Sequence, residues 1–361
     1  MTRVGIIGAN GQVGAELCLL LRDRTDIELI PICRNRSGSA FLRWQGIACR
    51  HGRAADATAA AALFGDCDVV VNSSLASGTP AEIRGIEDRI IKHMFAYSKA
   101  DATIIHFSTQ SVYGDPIPGR TLRWRNPYGR VKLESERQIR KAQRRSGKEA
   151  FILRLGHVCG ALQDISMTIR DEILSGRIVL PARDRSSNTV YTVAIIHAID
   201  CIIRRAIGAG TYDLMNNPAW TWKEVYEFEA ASCGLPMQAK VVETARTSAG
   251  SSAVGSLSRF AASLSTSQPI RDMFAKLFAY VPKDLNARAM AWWYVKRAQR
   301  QIAELNKAIV PTAHLSWVAN GVRPFPAATP TIELLRLSMT DPKKGAEIAS
   351  WPGDLPDAAA R

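Results

Sequence analysis

Three glycines at a strand-to-helix junction constrain this chain more than any other feature. Arg3–Gly8 reads as a buried strand, Gly8-Ala9-Asn10-Gly11-Gln12-Val13-Gly14 follows at once, and Val13–Arg22 has a helical pattern. Glycines at this GxxGxxG spacing permit a tight turn and a close approach of backbone to a pyrophosphate. The helix behind them offers unpaired N–H groups and the positive end of its dipole. The expectation is a dinucleotide site with Gly8, Asn10, Gly11, Gln12 and Val13 as cofactor contacts.

The next 150 residues repeat the strand–helix alternation. Short apolar runs at Ile27–Ile32, Val69–Val71, Thr103–Phe107 and Phe151–Leu155 are separated by helical stretches at Ala57–Phe64, Pro80–Lys99 and Tyr128–Arg145. Strands that are apolar throughout must be covered on both faces, so the expected class is α/β: a doubly wound parallel sheet of the Rossmann type. Beyond residue 156 the pattern loosens. Helices are expected at Ile165–Leu174, Val193–Ala206, Trp222–Ala231 and Ala287–Lys307, and strands at Arg177–Leu180 and Thr211–Leu214. A loop with a short helix is expected over Ala245–Ser267. The implied division is a cofactor domain of residues 1–158 and about 187–215, a smaller and mostly helical substrate lobe of about 159–186 and 216–345, and a flexible tail of 346–361.

Composition bears on partners. The formal net charge is +14, from 47 basic and 33 acidic residues. Such a surplus favours an anionic partner, and because the basic residues are scattered, a small anionic substrate is expected and no nucleic acid. The seven cysteines include no closely spaced pair, which speaks against a disulfide framework and a metal site. With a strand starting almost at the first residue and no apolar run of about 20 residues, the expected location is the cytoplasm. Phe274, Leu277, Phe278, Trp292, Trp293 and Tyr294 lie beside Lys276, Lys296, Arg297 and Arg300. They offer either a peripheral membrane contact or, as the plainer reading, a helical core with a solvated back face.

After the second strand the chain reads Ile32-Cys33-Arg34-Asn35-Arg36-Ser37. The acid that bonds a ribose 2′-hydroxyl is missing there, and arginine can pair with a 2′-phosphate instead. Arg34 therefore points to NADP, with NAD as the alternative. Further on, Pro127-Tyr128-Gly129-Arg130-Val131-Lys132 opens a helix on which Tyr128 and Lys132, four residues apart, project from one face. A nearby ammonium and an oxidised nicotinamide stabilise a phenolate, so Tyr128 is expected to exchange a proton with a substrate hydroxyl. Thr109, at the carboxyl end of the strand before it, faces the crevice where such sheets bind ligands.

Together, Gly8/Gly11/Gly14, Phe107-Ser108-Thr109-Gln110-Ser111-Val112-Tyr113-Gly114 and Pro127–Lys132 resemble the extended short-chain dehydrogenase/reductase family, in particular its nucleotide-sugar epimerases and dehydratases. The resemblance is clear over about residues 1–235. It implies Thr109, Tyr128 and Lys132 as the catalytic set, with Tyr128 and Lys132 also holding the nicotinamide ribose and Ser73 meeting the cofactor after the fourth strand. Tyr113 is implied to be structural. Substrate contacts are expected from Ser111, from His157 where the family often has Asn, and from Arg183 or Arg185 in place of a missing arginine. The dehydratases of this family carry Thr-Asp-Glu where this chain has Thr109-Gln110-Ser111, so epimerisation of a nucleotide-activated sugar is expected first. Carbonyl or sugar reduction comes second, and a non-catalytic NADP sensor third. The family often dimerises through the helix that carries the tyrosine, and a homodimer is compatible with that.

Overall fold

The computed structural model describes residues 1–76, 78–116, 123–124, 126–181, 186–216, 219–232, 234, 239–242, 283–305 and 323–324. The first half builds the expected alternation: β1 (Thr2–Ile7), α1 (Gln12–Leu21), β2 (Ile27–Cys33), α2 (Ala40–Trp44), β3 (Arg50–His51), α3 (Ala57–Phe64), β4 (Val69–Asn72), α4 (Pro80–Tyr97) and β5 (Thr103–Thr109). A single 3-10 turn, Gln110–Tyr113, follows β5. Then come the short hairpin β6 (Asp115–Pro116) and β7 (Arg123–Trp124), α5 (Pro127–Ser146) and β8 (Ala150–Leu155). Later elements are β9 (His157–Cys159), α6 (Asp164–Leu174), β10 (Ile178–Pro181), β11 (Thr189–Tyr191), α7 (Thr192–Ile203), β12 (Gly210–Leu214), α8 (Trp222–Ser232), β13 (Ala239–Val242), α9 (Lys283–Leu305) and β14 (Arg323–Pro324).

Eight strands pair in the order β14-β12-β8-β5-β4-β1-β2-β3, every pairing parallel. The order reverses at β1 and β4, and ligands bind at the crevice such a switch opens beyond the strands' carboxyl ends. Successive strand residues feed two separate cores. Val69, Val71, Ile105, Phe107 and Leu153 pack with Leu17 and Leu21 of α1 and Ile195 and Ile199 of α7. Val70, Ile104 and Ile152 pack with Phe64, Ile91, Met94 and Ile139 of α3, α4 and α5. A sheet buried on both sides explains why its strands read as unbroken apolar runs.

Caps fix the helices locally. Thr79 and Glu82 form a capping box at α4, and Asn126 caps α5 while Gly147, at φ +73°, ends it. Glu16, buried inside α1, accepts from Ala161 N (2.9 Å), Leu162 N (3.0 Å), Gln163 Nε2 (2.7 Å) and Thr192 Oγ1 (2.7 Å). That carboxylate ties the helix behind the glycine turn to the β9–α6 junction and to α7.

The second half departs in detail from the sequence reading. β9 and β11 pair with each other outside the main sheet, and β10 pairs with β13. α9 packs against α2 and gives Ala298 to the core beside α1, and Arg170 of α6 faces Glu304 of α9 at 3.7 Å. Its Trp292 and Trp293 are exposed, whereas Tyr294 is buried. The expected loop at Ala245–Ser267, the tail 346–361, and Cys233, Phe274, Lys276, Leu277 and Phe278 lie outside the described residues. Among the described residues no helix is long and apolar enough to cross a membrane, and no cluster of metal-ligating side chains occurs.

Candidate active site

The glycine turn works as its spacing requires. Gly8 has φ +81°, and a Cβ on it would lie 2.7 Å from the Cα of Ser74; a Cβ on Gly14 would lie 2.4 Å from the carbonyl of Gly8. Only glycine fits at these two positions. Gly11 N donates to Gly8 O at 2.8 Å. Gly11 is also the N-cap of α1 and has no side chain to satisfy the first-turn N–H groups. Those groups, next to Asn10, Gln12 and Val13, remain available to an anion. Below the turn, Ser73 Oγ donates to Ile7 O at 2.8 Å, so its hydroxyl braces β1 against β4. Arg34 is exposed at the end of β2, and Gly38 N donates to Asn35 Oδ1 at 2.7 Å to close the loop behind it. The cradle thus suits a dinucleotide phosphate bridge.

Thr109 closes β5 and caps the 3-10 turn: its Oγ1 accepts from Ser111 N at 3.2 Å and lies 3.4 Å from Ser111 Oγ. α5 is docked beside that turn. A Cβ on Gly129 would lie 2.4 Å from Ser111 O, so the glycine after Tyr128 lets the helix start touch the backbone that carries Ser111. Asn126 Oδ1 accepts from Gly129 N at 2.6 Å and fixes the same end. Tyr128 is 41% exposed, and among the described residues its hydroxyl has no partner. One turn on, Lys132 is buried and its Nζ donates to Ser74 O at 3.4 Å. Ser74 is the residue against which Gly8 packs, so Lys132 spans from α5 to the underside of the glycine turn. Helix α5 thus touches the site at two points: Lys132 reaches Ser74 beneath the turn, and Gly129 lies against Ser111, which Thr109 caps.

Asn72, His106, Glu136 and Arg154, none of them among the expected site residues, hold this arrangement. Asn72 Oδ1 accepts from Ser74 N (3.1 Å) and Ser74 Oγ (2.6 Å), while its Nδ2 lies 3.3 Å from His106 Nδ1. Burial, and then the positive charge of Lys132, push the His106 pKa well down, so its imidazole is neutral. Glu136, one turn beyond Lys132, is fully buried. It accepts from Ser108 Oγ at 2.6 Å, from Arg154 Nε and Nη2 at 2.8 and 2.7 Å, and from Arg140 Nη2 at 2.8 Å. Burial alone would raise its pKa, but Arg154 and Ser108 hold it below the ordinary carboxylate range. Arg154 also donates to Tyr113 Oη at 2.9 Å, and that hydroxyl donates to Asp213 at 2.6 Å. Burial and the Asp213 carboxylate push the Tyr113 phenol up to about 12. Tyr113 is therefore committed to binding β8 and β12 together.

Of the remaining expected substrate contacts, only His157 lies among the described residues. His157 is exposed on β9, its ring 5.5 Å from that of Trp222, and the groups crowding it lower its pKa. It stands on β9, which leaves the main sheet to pair with β11. Arg183 and Arg185 lie outside the described residues.

The comparisons agree with this architecture. Residues 4–211 match the model of the NAD dependent epimerase/dehydratase family. No match emerges among curated proteins. Among solved structures, the chain is similar to the UDP-N-acetylglucosamine 4-epimerase of Bacillus cereus, at 16% identity and TM-score 0.54, covering 69% of this chain and 90% of that one. The dTDP-glucose 4,6-dehydratase of Bacillus anthracis, in complex with NAD, is similar at 14% identity and TM-score 0.54, covering 68% and 86%. RMD of Pseudomonas aeruginosa, complexed with NADPH, is similar at 16% identity and TM-score 0.51, covering 66% and 87%. The matched residues carry the glycine turn and most of the parallel sheet, and the chain belongs to the NAD dependent epimerase/dehydratase family, enzymes of the extended short-chain dehydrogenase/reductase type.

Proposed function

We propose that the protein epimerises a nucleotide-activated sugar through a transient keto intermediate, with NADP as the preferred dinucleotide. The observation that carries this reading is the reach of Lys132 to Ser74 beneath the glycine turn, with Tyr128 exposed one turn earlier on the same helix. Gly8, Asn10, Gly11, Gln12 and Val13 would hold the phosphate bridge, Ser73 would meet the cofactor after β4, and Tyr128 and Lys132 would hold the nicotinamide ribose. Arg34, exposed where an NAD site has an acid, supports NADP over NAD. The bound dinucleotide supplies the hydride acceptor and donor.

The chain's own residues supply the rest. Thr109, its Oγ1 anchored at the 3-10 turn, positions the reacting sugar oxygen. Tyr128 removes the proton from that hydroxyl and returns it when the carbonyl is reduced from the other face. Ser111, whose Oγ lies 3.4 Å from Thr109 Oγ1, would meet the same oxygen. Gln110 and Ser111 stand where the dehydratases carry acids, and a carboxamide and a hydroxyl supply no acid and base for losing water. A sugar or carbonyl reductase would use the same three residues, and the exposed Arg34 is the feature that favours this second reading.

Tyr128→Phe tests the assignment. Turnover of an accepted nucleotide sugar is expected to fall by roughly 10²–10⁴-fold, while dinucleotide affinity, read by calorimetry, changes by no more than about twofold. Unchanged turnover would remove Tyr128 from the mechanism.

A further inference from the structure

α9 lies beyond the residues that match the family, yet it reaches the adenosine end of the glycine turn. Arg297 and Gln301 of α9, with Tyr294, line a cleft whose facing wall is Asn10, Gly38 and Phe41. That wall is the mouth of the β2–α2 loop. Ala9 N donates to Ile32 O at 3.4 Å, so the glycine turn abuts the end of β2, and Gly38 closes the loop that carries Arg34 and Arg36. In sheets of this order the adenosine ribose sits at the end of the second strand.

Against the apolar Ala15, Leu42 and Ala298, two donor side chains of α9 stand out in the cleft. Gln301 is nine-tenths buried, and among the described residues its Nε2 has no hydrogen-bond partner. The Arg297 guanidinium lies 5.4 Å from the centre of the Trp293 ring, and among the described residues no carboxylate comes within ion-pair distance. Asp164 is the acid that faces it from farther off, and burial lowers the Arg297 pKa. A buried amide and a partly buried cation without acceptors are costly unless an anion satisfies them. Arg34 and Arg36 stand exposed at the same loop.

We infer that Arg297 and Gln301 form the outer wall of a pocket for the adenosine 2′-phosphate, so that α9 joins the β2–α2 loop in selecting the phosphorylated cofactor. The inference rests on the NADP reading above. Two fragments separate the question from turnover: adenosine 2′,5′-bisphosphate and 5′-AMP, which differ only in the 2′-phosphate. Calorimetric titration of the full chain is expected to show tighter binding of the bisphosphate. Arg297→Met should weaken the bisphosphate about tenfold or more, the loss of one charge-assisted contact, and leave 5′-AMP within about twofold. Gln301→Leu should weaken the bisphosphate several-fold, and Arg300→Met, an exposed neighbour on the same helix, should change neither. Arg297→Lys keeps the stem and the charge. It provides a folded variant if methionine does not, and it is expected to lose part of the preference. If wild type prefers the bisphosphate and Arg34→Met loses that preference while both Arg297 variants bind as wild type, the role of α9 is overturned and the NADP reading stands. If wild type binds the two fragments equally, the NADP reading fails and this inference fails with it.

Discussion

Replacing Glu136 by alanine should unsettle the site from within. The carboxylate accepts four hydrogen bonds, three of them from two guanidinium groups. Its removal strands Arg154, whose side chain is only 10% exposed, with Tyr113 Oη as its remaining polar partner in that network. Breaking a buried pair from one side costs about 3–5 kcal/mol. Arg140 offsets little of this, because its side chain is already 36% exposed and returns to water at small cost. For a unit of this size the melting temperature should fall by roughly 5–15 °C. Activity should suffer through geometry, since Glu136 fixes Ser108, which precedes Thr109, and sits one turn beyond Lys132. The fall is expected in kcat more than in dinucleotide affinity. A double-mutant cycle in thermal and urea unfolding isolates the pair: Glu136→Met with Arg154→Met should recover much of the loss, with a coupling of about 2–3 kcal/mol. Additive single effects, or a Glu136→Ala melting point within about 2 °C of wild type, would refute the view that this carboxylate holds α5 to β5 and β8.

Two more predictions are independent of that network. Gly129→Ala puts a methyl 2.4 Å from Ser111 O, so the start of α5 must move off the 3-10 turn; kcat should drop at least about tenfold with folding retained by circular dichroism, and full activity would show that the close approach is dispensable. Asp200, paired with Arg24 at 3.0 Å, has its pKa raised to about 6, because burial outweighs the arginine's attraction. A raised carboxylate stabilises the fold below its ordinary range near 4, and that contribution, roughly 3 kcal/mol, fades as the pH rises through about 6. The deficit of Asp200→Asn relative to wild type should therefore be larger at pH 4 than at pH 7 in urea titrations; a deficit independent of pH, or growing with it, would contradict this.

What was legible in the sequence was local. The turn from Gly8 to Gly14, the helical stretches that become α4 and α5, and the i, i+4 spacing of Tyr128 and Lys132 each depend on a few nearby residues, and each falls on the element the sequence suggests. Strands too short to show a period were missed. β3 has two residues, and β9 and β11 have three each and gain meaning only by pairing with one another. Glu136 reads as one more charge on a polar helix, yet it is fully buried. The available signal was its spacing, four residues after Lys132 and three before Ile139, both of which face inward. The partnership of Glu16 with residues near 161 and 192, and the docking of α9 on α2, involve separations that no sequence window spans. The surroundings of His157 follow from a departure no sequence window shows: the chain leaves the sheet at Gly156, where a Cβ would meet Asn188 O, and β9 pairs with β11.

The most direct test of the account is product analysis. The purified chain is incubated with NADP or NAD and a panel of UDP-, GDP-, CDP- and dTDP-sugars, and products are separated and weighed while the redox state of the dinucleotide is followed. The account predicts one new sugar nucleotide of unchanged mass and no net oxidation or reduction of the cofactor. A product heavier by two hydrogens with stoichiometric cofactor oxidation, or one lighter by a water, would contradict epimerisation.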